Sequence, residues 1–242
     1  MNTKYGLQLY SVRDITKEDL GSAIKQVASL GYSFVEFAGF FGNSAEDVKA
    51  MLSEAGVTIS GTHSPLDDLR PTKLADTIAY HKAVGNPYYI IPGADLSTLA
   101  KIEDFANVVN NARPILAAEG IRLGYHNHSR EFEIMPWGST IHSELERRTD
   151  IDFEIDTYWA WNAGVDPIAI LERLGGRVKV IHVKDGFAGG KGKALGEGDA
   201  PVKAVVEYAK AKGITMVVES ETLDPTGILE VGRCIDYLKS ID

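Results

Sequence analysis

Six short apolar runs in this chain end in side chains that can bind a cation or move a proton. One carries Glu36 and the next leads into His63. Further on come His126-Asn127-His128, Asp156, the stretch His182-Val183-Lys184-Asp185, and Glu219-Ser220-Glu221. Each has a plain explanation when taken alone: a single histidine at a strand end is usually hydrogen bonded, and a single glutamate is usually solvated. Gathered on one rim, they would be costly to bury without a partner. A divalent cation compensates that cost directly. Carboxylate and imidazole donors suit manganese, cobalt, zinc or magnesium. The sequence holds neither a CxxC pair nor an HExxH helix, which argues against a structural zinc knot and a helix-borne protease site.

Those residues can meet only if the elements carrying them are arranged for it. Short β-rich runs alternate along the chain with longer amphipathic segments. The strand candidates are Tyr5–Tyr10, Ser33–Phe37, Val57–Thr62, Tyr88–Ile91, Ile121–His126, Ile151–Asp156, Val178–Val183 and Thr215–Glu219. Between them lie helix candidates at Lys17–Leu30, Ser44–Ala55, Thr72–Val84, Ser97–Ala118, Thr140–Arg148, Pro167–Leu174, Pro201–Lys212 and Pro225–Lys239. In Lys17–Leu30 the apolar residues Leu20, Ile24, Val27, Ala28 and Leu30 share one face. Glycines such as Gly31, Gly56, Gly85 and Gly213 follow helix candidates, where a left-handed residue ends a helix. Ser44 and Ser97 sit at N-cap positions, and Pro167 and Pro201 at first-turn positions. Strands alternating with helices imply right-handed βαβ units and a parallel sheet. Eight units over 242 residues predict a single-domain α/β fold, a closed (β/α)8 TIM barrel, which takes about 250 residues. In such a barrel the C-terminal strand ends carry the chemistry, and those ends hold the ionisable residues named above. The glycine-rich stretch Gly186–Gly198 is the one unusual loop, read either as a mobile surface loop or as a place where backbone approaches a ligand.

Composition narrows the function. The hydrophobic share is 44 %, and the net charge is −9. Nucleic-acid binders present basic faces, so the acidic balance argues against that partner. The lone Cys234 cannot form an intrachain disulfide, and its apolar helical surroundings suit a buried small hydrophobe. The start, Met1-Asn2-Thr3-Lys4, has no basic segment followed by a long apolar run, and no stretch is long enough to span a membrane. A cytoplasmic location with no membrane partner is the default expectation; a homo-oligomer is compatible with the sequence.

The stretches Gly6-Leu-Gln-Leu-Tyr-Ser-Val-Arg13, Val35-Glu-Phe-Ala-Gly39, Tyr125-His-Asn-His-Ser-Arg-Glu-Phe132, Glu154-Ile-Asp-Thr-Tyr-Trp-Ala160, Ile181-His-Val-Lys-Asp185 and Val217-Val-Glu-Ser-Glu221 carry a resemblance. In this order and spacing the chain resembles the xylose-isomerase-like barrel superfamily, the sugar phosphate isomerase/epimerase group, along nearly its whole length. The later stretches look like the subgroup that includes inosose dehydratases and keto-sugar-acting relatives. The resemblance implies one divalent metal held by Glu, Asp, His and Glu from four strand ends. Asp156, His182 and Glu219 match the last three. At the first position relatives show Glu-Asn-His and this chain has His126-Asn127-His128, so the fourth ligand is either His126 or Glu131 a few residues on.

A metal that chelates a hydroxyl and a neighbouring carbonyl acidifies the C–H bond between them, and a carboxylate within reach can move that proton. Isomerisation or epimerisation follows; a leaving group at the β carbon gives elimination instead. Glu219 is then ligand and base, with His126 or Glu131 serving the opposite side. Lys184 could neutralise an oxyanion or simply pair with Asp185 or Glu221. Glu36, His63 and His128 are candidate substrate contacts. Trp159 and Trp161 could stack on a sugar face or serve packing. The expected partner is a small carbohydrate. The leading reading is a sugar or keto-sugar isomerase or epimerase, with a lyase or dehydratase on a keto sugar, inosose or 3-keto-glycoside behind it. A non-catalytic sugar-binding barrel is the alternative of another class. An apurinic-site endonuclease would need a multi-zinc cluster and a basic face, against which six histidines and the acidic balance argue.

Overall fold

A computed structural model describes residues 3–242; Met1 and Asn2, the first residues of the start read above, lie outside the described residues. The barrel strands are β1 (Gly6–Gln8), β2 (Phe34–Phe37), β3 (Thr58–His63), β4 (Tyr88–Ile91), β5 (Arg122–His126), β6 (Asp152–Asp156) and β7 (Val180–Val183). The hairpin strands β8 (Asp185–Phe187) and β9 (Lys191–Lys193) follow, and β10 (Thr215–Val218) completes the barrel. The order β1-β10-β7-β6-β5-β4-β3-β2 closes on itself, and all eight pairings are parallel. The single-domain TIM barrel expected from the strand–helix alternation is therefore the fold. Among the described residues, no helix is long and apolar enough to cross a membrane.

The helices end where the local chemistry changes. Ser44 accepts from the Asp47 amide at 3.1 Å, and Pro167 occupies the first turn of Pro167–Leu174. Ser97 does not cap its helix. It bonds Asp95, and Thr98 accepts from the Lys101 amide instead. The first strand is shorter than Tyr5–Tyr10 because the Gln8 side chain accepts from the Tyr10 amide at 3.1 Å, turning Leu9–Val12 into a 3-10 helix.

Two layers fill the barrel. The lower is apolar: Phe34, Tyr88, Ile90, Val180 and Val217 pack together. Gly6 and Gly124 make room for it, since a Cβ would stand 2.1 Å from the Phe34 ring or 3.0 Å from that of Tyr88. Toward the C-terminal ends the interior turns polar. Gln8, Glu36, Glu154 and His182 are all fully buried there. A second, larger core lies between barrel and helices, and Cys234 is buried in it.

Candidate active site

The strand ends are pinned to one another by short polar bridges. The Asn127 amide group donates to the Asp156 carbonyl at 3.3 Å and accepts from its N–H at 3.1 Å, which fixes the end of β5 against β6. The Thr157 hydroxyl donates to the His182 carbonyl at 2.9 Å and does the same for β6 and β7. Asp156 also accepts from the Trp159 amide at 2.9 Å. That bond caps a short helix, Thr157–Asn162, which the strand–helix alternation does not reveal.

At the centre, one donor atom each from His126, Asp156, His182 and Glu219 lies within 4.8 Å of the others, and all four residues are buried. Between the two possibilities open for the fourth strand-end donor, the geometry puts His126 in this group. Glu131 is engaged elsewhere: its carboxylate accepts from the Tyr125 hydroxyl at 2.9 Å and from the His128 amide at 2.8 Å. It therefore shapes the turn Ser129–Phe132 and takes no place in the group.

Both ring nitrogens of His126 and Oδ2 of Asp156 are buried with no hydrogen-bond partner. Orphaned buried atoms of this kind are uncommon. A neutral imidazole and a carboxylate that face one another without a proton between them fit a divalent cation. Burial, with the charges of His182 and His63 adding to it, pushes the His126 imidazole well down and keeps its lone pair free. Burial raises Asp156, against the pull of Lys184. Burial would also raise Glu219, but Lys184 and His182 hold it well below the usual carboxylate range.

Beneath that group lies a ring of four charges. His182 Nδ1 faces Glu219 at 3.3 Å, while its Nε2 faces Glu36 at 2.9 Å and Glu154 at 3.3 Å. His63 Nε2 closes the ring, 2.8 Å from Glu154 and 3.3 Å from Glu36. Burial works against a charged His182, yet the carboxylates of Glu154, Glu219 and Glu36 raise it well above the ordinary histidine value. Burial and the Glu36 charge push Glu154 up. His63, His126, Glu154 and His182 make a second group close enough to share an ion.

Glu36, expected at the mouth as a substrate contact, lies in this lower ring and also accepts from Gln8 at 2.7 Å. Its place on β2 buries it completely. Neither Glu154 nor Gln8 was singled out by the sequence. Glu154 stands two residues before Asp156, and period-two alternation along a strand puts both on one face; that was the available signal.

Above the ring opens a cavity of about 320 Å³, walled by Tyr10, His63, His126, His128, Glu219 and Glu221. Lys184 is almost fully buried beside it. Its Nζ lies 3.3 Å from Glu219 and 4.0 Å from Asp156, and it pairs with Glu221. Burial opposes the charge, but Glu219, Asp156 and Glu221 hold the ammonium form firmly. Asp185 is not its partner. Trp159 lays its ring 4.7 Å from Lys184 Nζ and 6.0 Å from the His128 ring. The expected glycine-rich loop is a hairpin: β8 and β9 pair antiparallel.

The sequence model of the xylose isomerase-like TIM barrel family matches residues 24–240. A sugar phosphate isomerase/epimerase from Parabacteroides distasonis is 25 % identical, with a TM-score of 0.84 over 99 % of this chain and 94 % of its own. A D-psicose 3-epimerase from Clostridium cellulolyticum shares the fold at 16 % identity, TM-score 0.74 and 99 % of both chains. A probable 3-DHS dehydratase from Bacillus anthracis does so at 11 % identity and TM-score 0.73, over 97 % of this chain and 99 % of its own. No curated protein matches the chain.

Proposed function

The chain belongs to the xylose isomerase-like TIM barrel family, and on that footing we propose that it is a metal-dependent isomerase or epimerase that moves protons on a sugar or keto sugar. The observation that carries this reading is the buried group of His126, Asp156, His182 and Glu219, with its orphaned nitrogens and oxygen, at the floor of a sugar-sized cavity. These four residues would hold the cation. When bound, a divalent ion supplies Lewis acidity to a hydroxyl and a neighbouring carbonyl and so acidifies the C–H bond between them.

The chain's own residues do the rest. Glu219 forms part of the cavity wall and is held ionised by Lys184 and His182 despite its burial; it accepts the carbon-bound proton and, in an isomerisation, delivers it to the neighbouring carbon of the enediolate. Lys184 stabilises negative charge that develops on the substrate oxygen. His63 and His128 also line the cavity and hydrogen-bond the hydroxyls. Glu131 orients His128 through its backbone amide. The similarity to a sugar phosphate isomerase/epimerase supports the reading.

Elimination is the second reading, and the engagement of Glu131 favours it. With His126 at the first strand-end position and Glu131 bonded to Tyr125 and His128, Glu219 is the one carboxylate of the four-residue group that lines the cavity. One base and a leaving group suffice for a dehydratase.

Solvent-deuterium exchange tests both. Keto sugars and inososes incubated with the protein in D2O and manganese, cobalt or magnesium are followed by NMR. Deuterium appears at the carbon beside the carbonyl, and Glu219→Gln abolishes it. A metal-loaded protein that exchanges no C–H bond in the panel contradicts the enolising chemistry, and an unsaturated product identifies elimination.

A further inference from the structure

Several acids near the ends of the barrel strands are spent on the protein itself. Glu131 accepts from the Tyr125 hydroxyl and the His128 amide. The buried Asp185 accepts from the amides of Gly186 at 2.8 Å, Gly196 at 2.8 Å, Gly198 at 3.1 Å and Ala200 at 3.1 Å. Glu230, on the last helix Gly227–Ser240, accepts from the Ser220 hydroxyl and from the amides of Thr222 and Asp224. Glu221 differs from all of these. It lines the cavity beside Glu219, and its side chain is 29 % exposed where that of Glu219 is 5 % exposed. Among the described residues only its Oε2 is engaged, by Lys184. Oε1 is left for a ligand.

The chain around Glu221 is held on both sides. Just beyond β10 the Glu219 amide donates to the Val183 carbonyl at 3.2 Å, and the Ser220 amide donates to the Ser11 hydroxyl at 3.0 Å. Arg13 donates to the Glu221 carbonyl at 2.7 Å. Ser220 turns its own hydroxyl to Glu230, so alternation along the segment puts Glu219 and Glu221 together on the cavity side. Both carboxylates also share the Lys184 ammonium. A group accepted by Glu221 therefore lies close to the C–H bond that Glu219 attacks. Arg13 holds one more piece of this wall. It donates to the Tyr10 carbonyl at 3.1 Å and lays its guanidinium 4.5 Å from the Tyr10 ring centroid, which fixes a half-exposed aromatic at the cavity. A carboxylate oxygen accepts hydroxyl protons, and an aromatic face takes the apolar C–H side of a sugar ring.

We propose that Glu221 is a specificity-determining residue of this site: its Oε1 accepts a substrate hydroxyl close to the reacting carbon, and a compound lacking that hydroxyl is rejected. A carboxylate stripped of water by the bound ring and given no proton in return is left unpaired, and that loss is what discriminates. The proposal rests on the proton-transfer reading for the reaction, though hydroxyl recognition is measured independently of it.

Calorimetry on the manganese-loaded protein tests it with a panel of keto sugars and inososes, each beside its single-deoxy analogues. C–H exchange in D2O is followed on the same panel. For the member that binds most tightly, one deoxy analogue is expected to bind the wild type about 10–100-fold more weakly. Glu221→Ala is expected to bring that ratio near one while the ratios at other positions stand. Glu221→Gln keeps the shape and an acceptor oxygen, and is expected to retain part of the ratio; it carries the test if the alanine variant does not fold. No panel member bound by the wild type, or deoxy ratios that neither variant alters, overturns the proposal. A ratio lost in the variants, with no C–H exchange by the wild type, upholds it and overturns the proton-transfer reading; C–H exchange with unaltered ratios does the reverse.

Discussion

His126 Nε2 lies 3.7 Å from Asp156 Oδ2, too far for a hydrogen bond, and neither atom bonds to anything else. The two strands that carry them are locked together by Asn127, so the gap is a fixed feature of the mouth. A fixed gap between a lone pair and a carboxylate is where a cation fits.

The first prediction concerns that gap. Asp156→Asn keeps an oxygen to cap the helix Thr157–Asn162 but removes the charge; His126→Ala removes a neutral donor. Each variant is expected to retain its fold by circular dichroism and to lose bound manganese by elemental analysis. Metal retained at the wild-type level in both would remove these residues from the ligand set.

Glu36 faces His182 Nε2 from below, while Nδ1 faces Glu219. A carboxylate behind a ligand histidine orients the ring and raises its basicity, and losing one typically costs about 10–100-fold in metal affinity. Glu36→Gln is therefore expected to weaken manganese binding by about that factor while leaving the stoichiometry unchanged. Competition titration measures the change, and an unaltered dissociation constant would assign Glu36 a packing role only.

Much of this arrangement was legible in the sequence, and the residues that were not share a reason. The barrel could be read because each strand is short, apolar and followed by a helix with recognisable ends. Asp156, His182 and Glu219 could be placed at one rim because each closes such a run. Glu154 and Gln8 sit inside strands whose two faces are both buried. Hydropathy alternation then no longer separates inside from outside. Glu36 was seen, but one-dimensional order gave no depth, and it lies one layer below the mouth. The hairpin of β8 and β9 was hidden because its anchor is a single carboxylate, Asp185, whose amide partners are spread from Gly186 to Ala200.

Lys184 holds a buried charge between Glu219 and Glu221. Removing one member of a buried pair strands the other and costs about 3–5 kcal/mol. For the metal-free protein, Lys184→Met is expected to lower the urea midpoint accordingly, and added manganese to recover part of the loss by compensating Glu219. A midpoint equal to wild type without metal would mean that Glu219 is neutral in the folded chain.

Acid sensitivity should also come from outside the site. Burial pushes His81 down to about 4, and its Nδ1 bonds the Asn86 amide nitrogen at 2.9 Å, an arrangement suited to the neutral ring. Between an unfolded value of about 6.5 and the folded value, the unfolded chain binds the extra proton. Stability is thus full above that window and falls as pH drops through it, by at most about 3 kcal/mol from this residue. His81→Gln is expected to flatten the slope of unfolding free energy between those limits; an unchanged slope would show that His81 is protonated in the fold.

The central claim is tested most directly by anomalous diffraction from crystals grown with manganese. The account predicts one strong peak enclosed by His126, Asp156, His182 and Glu219, with Lys184 beside Glu219 and outside the coordination sphere. A map with no peak at these side chains, or with the ion bound at other residues, would contradict it.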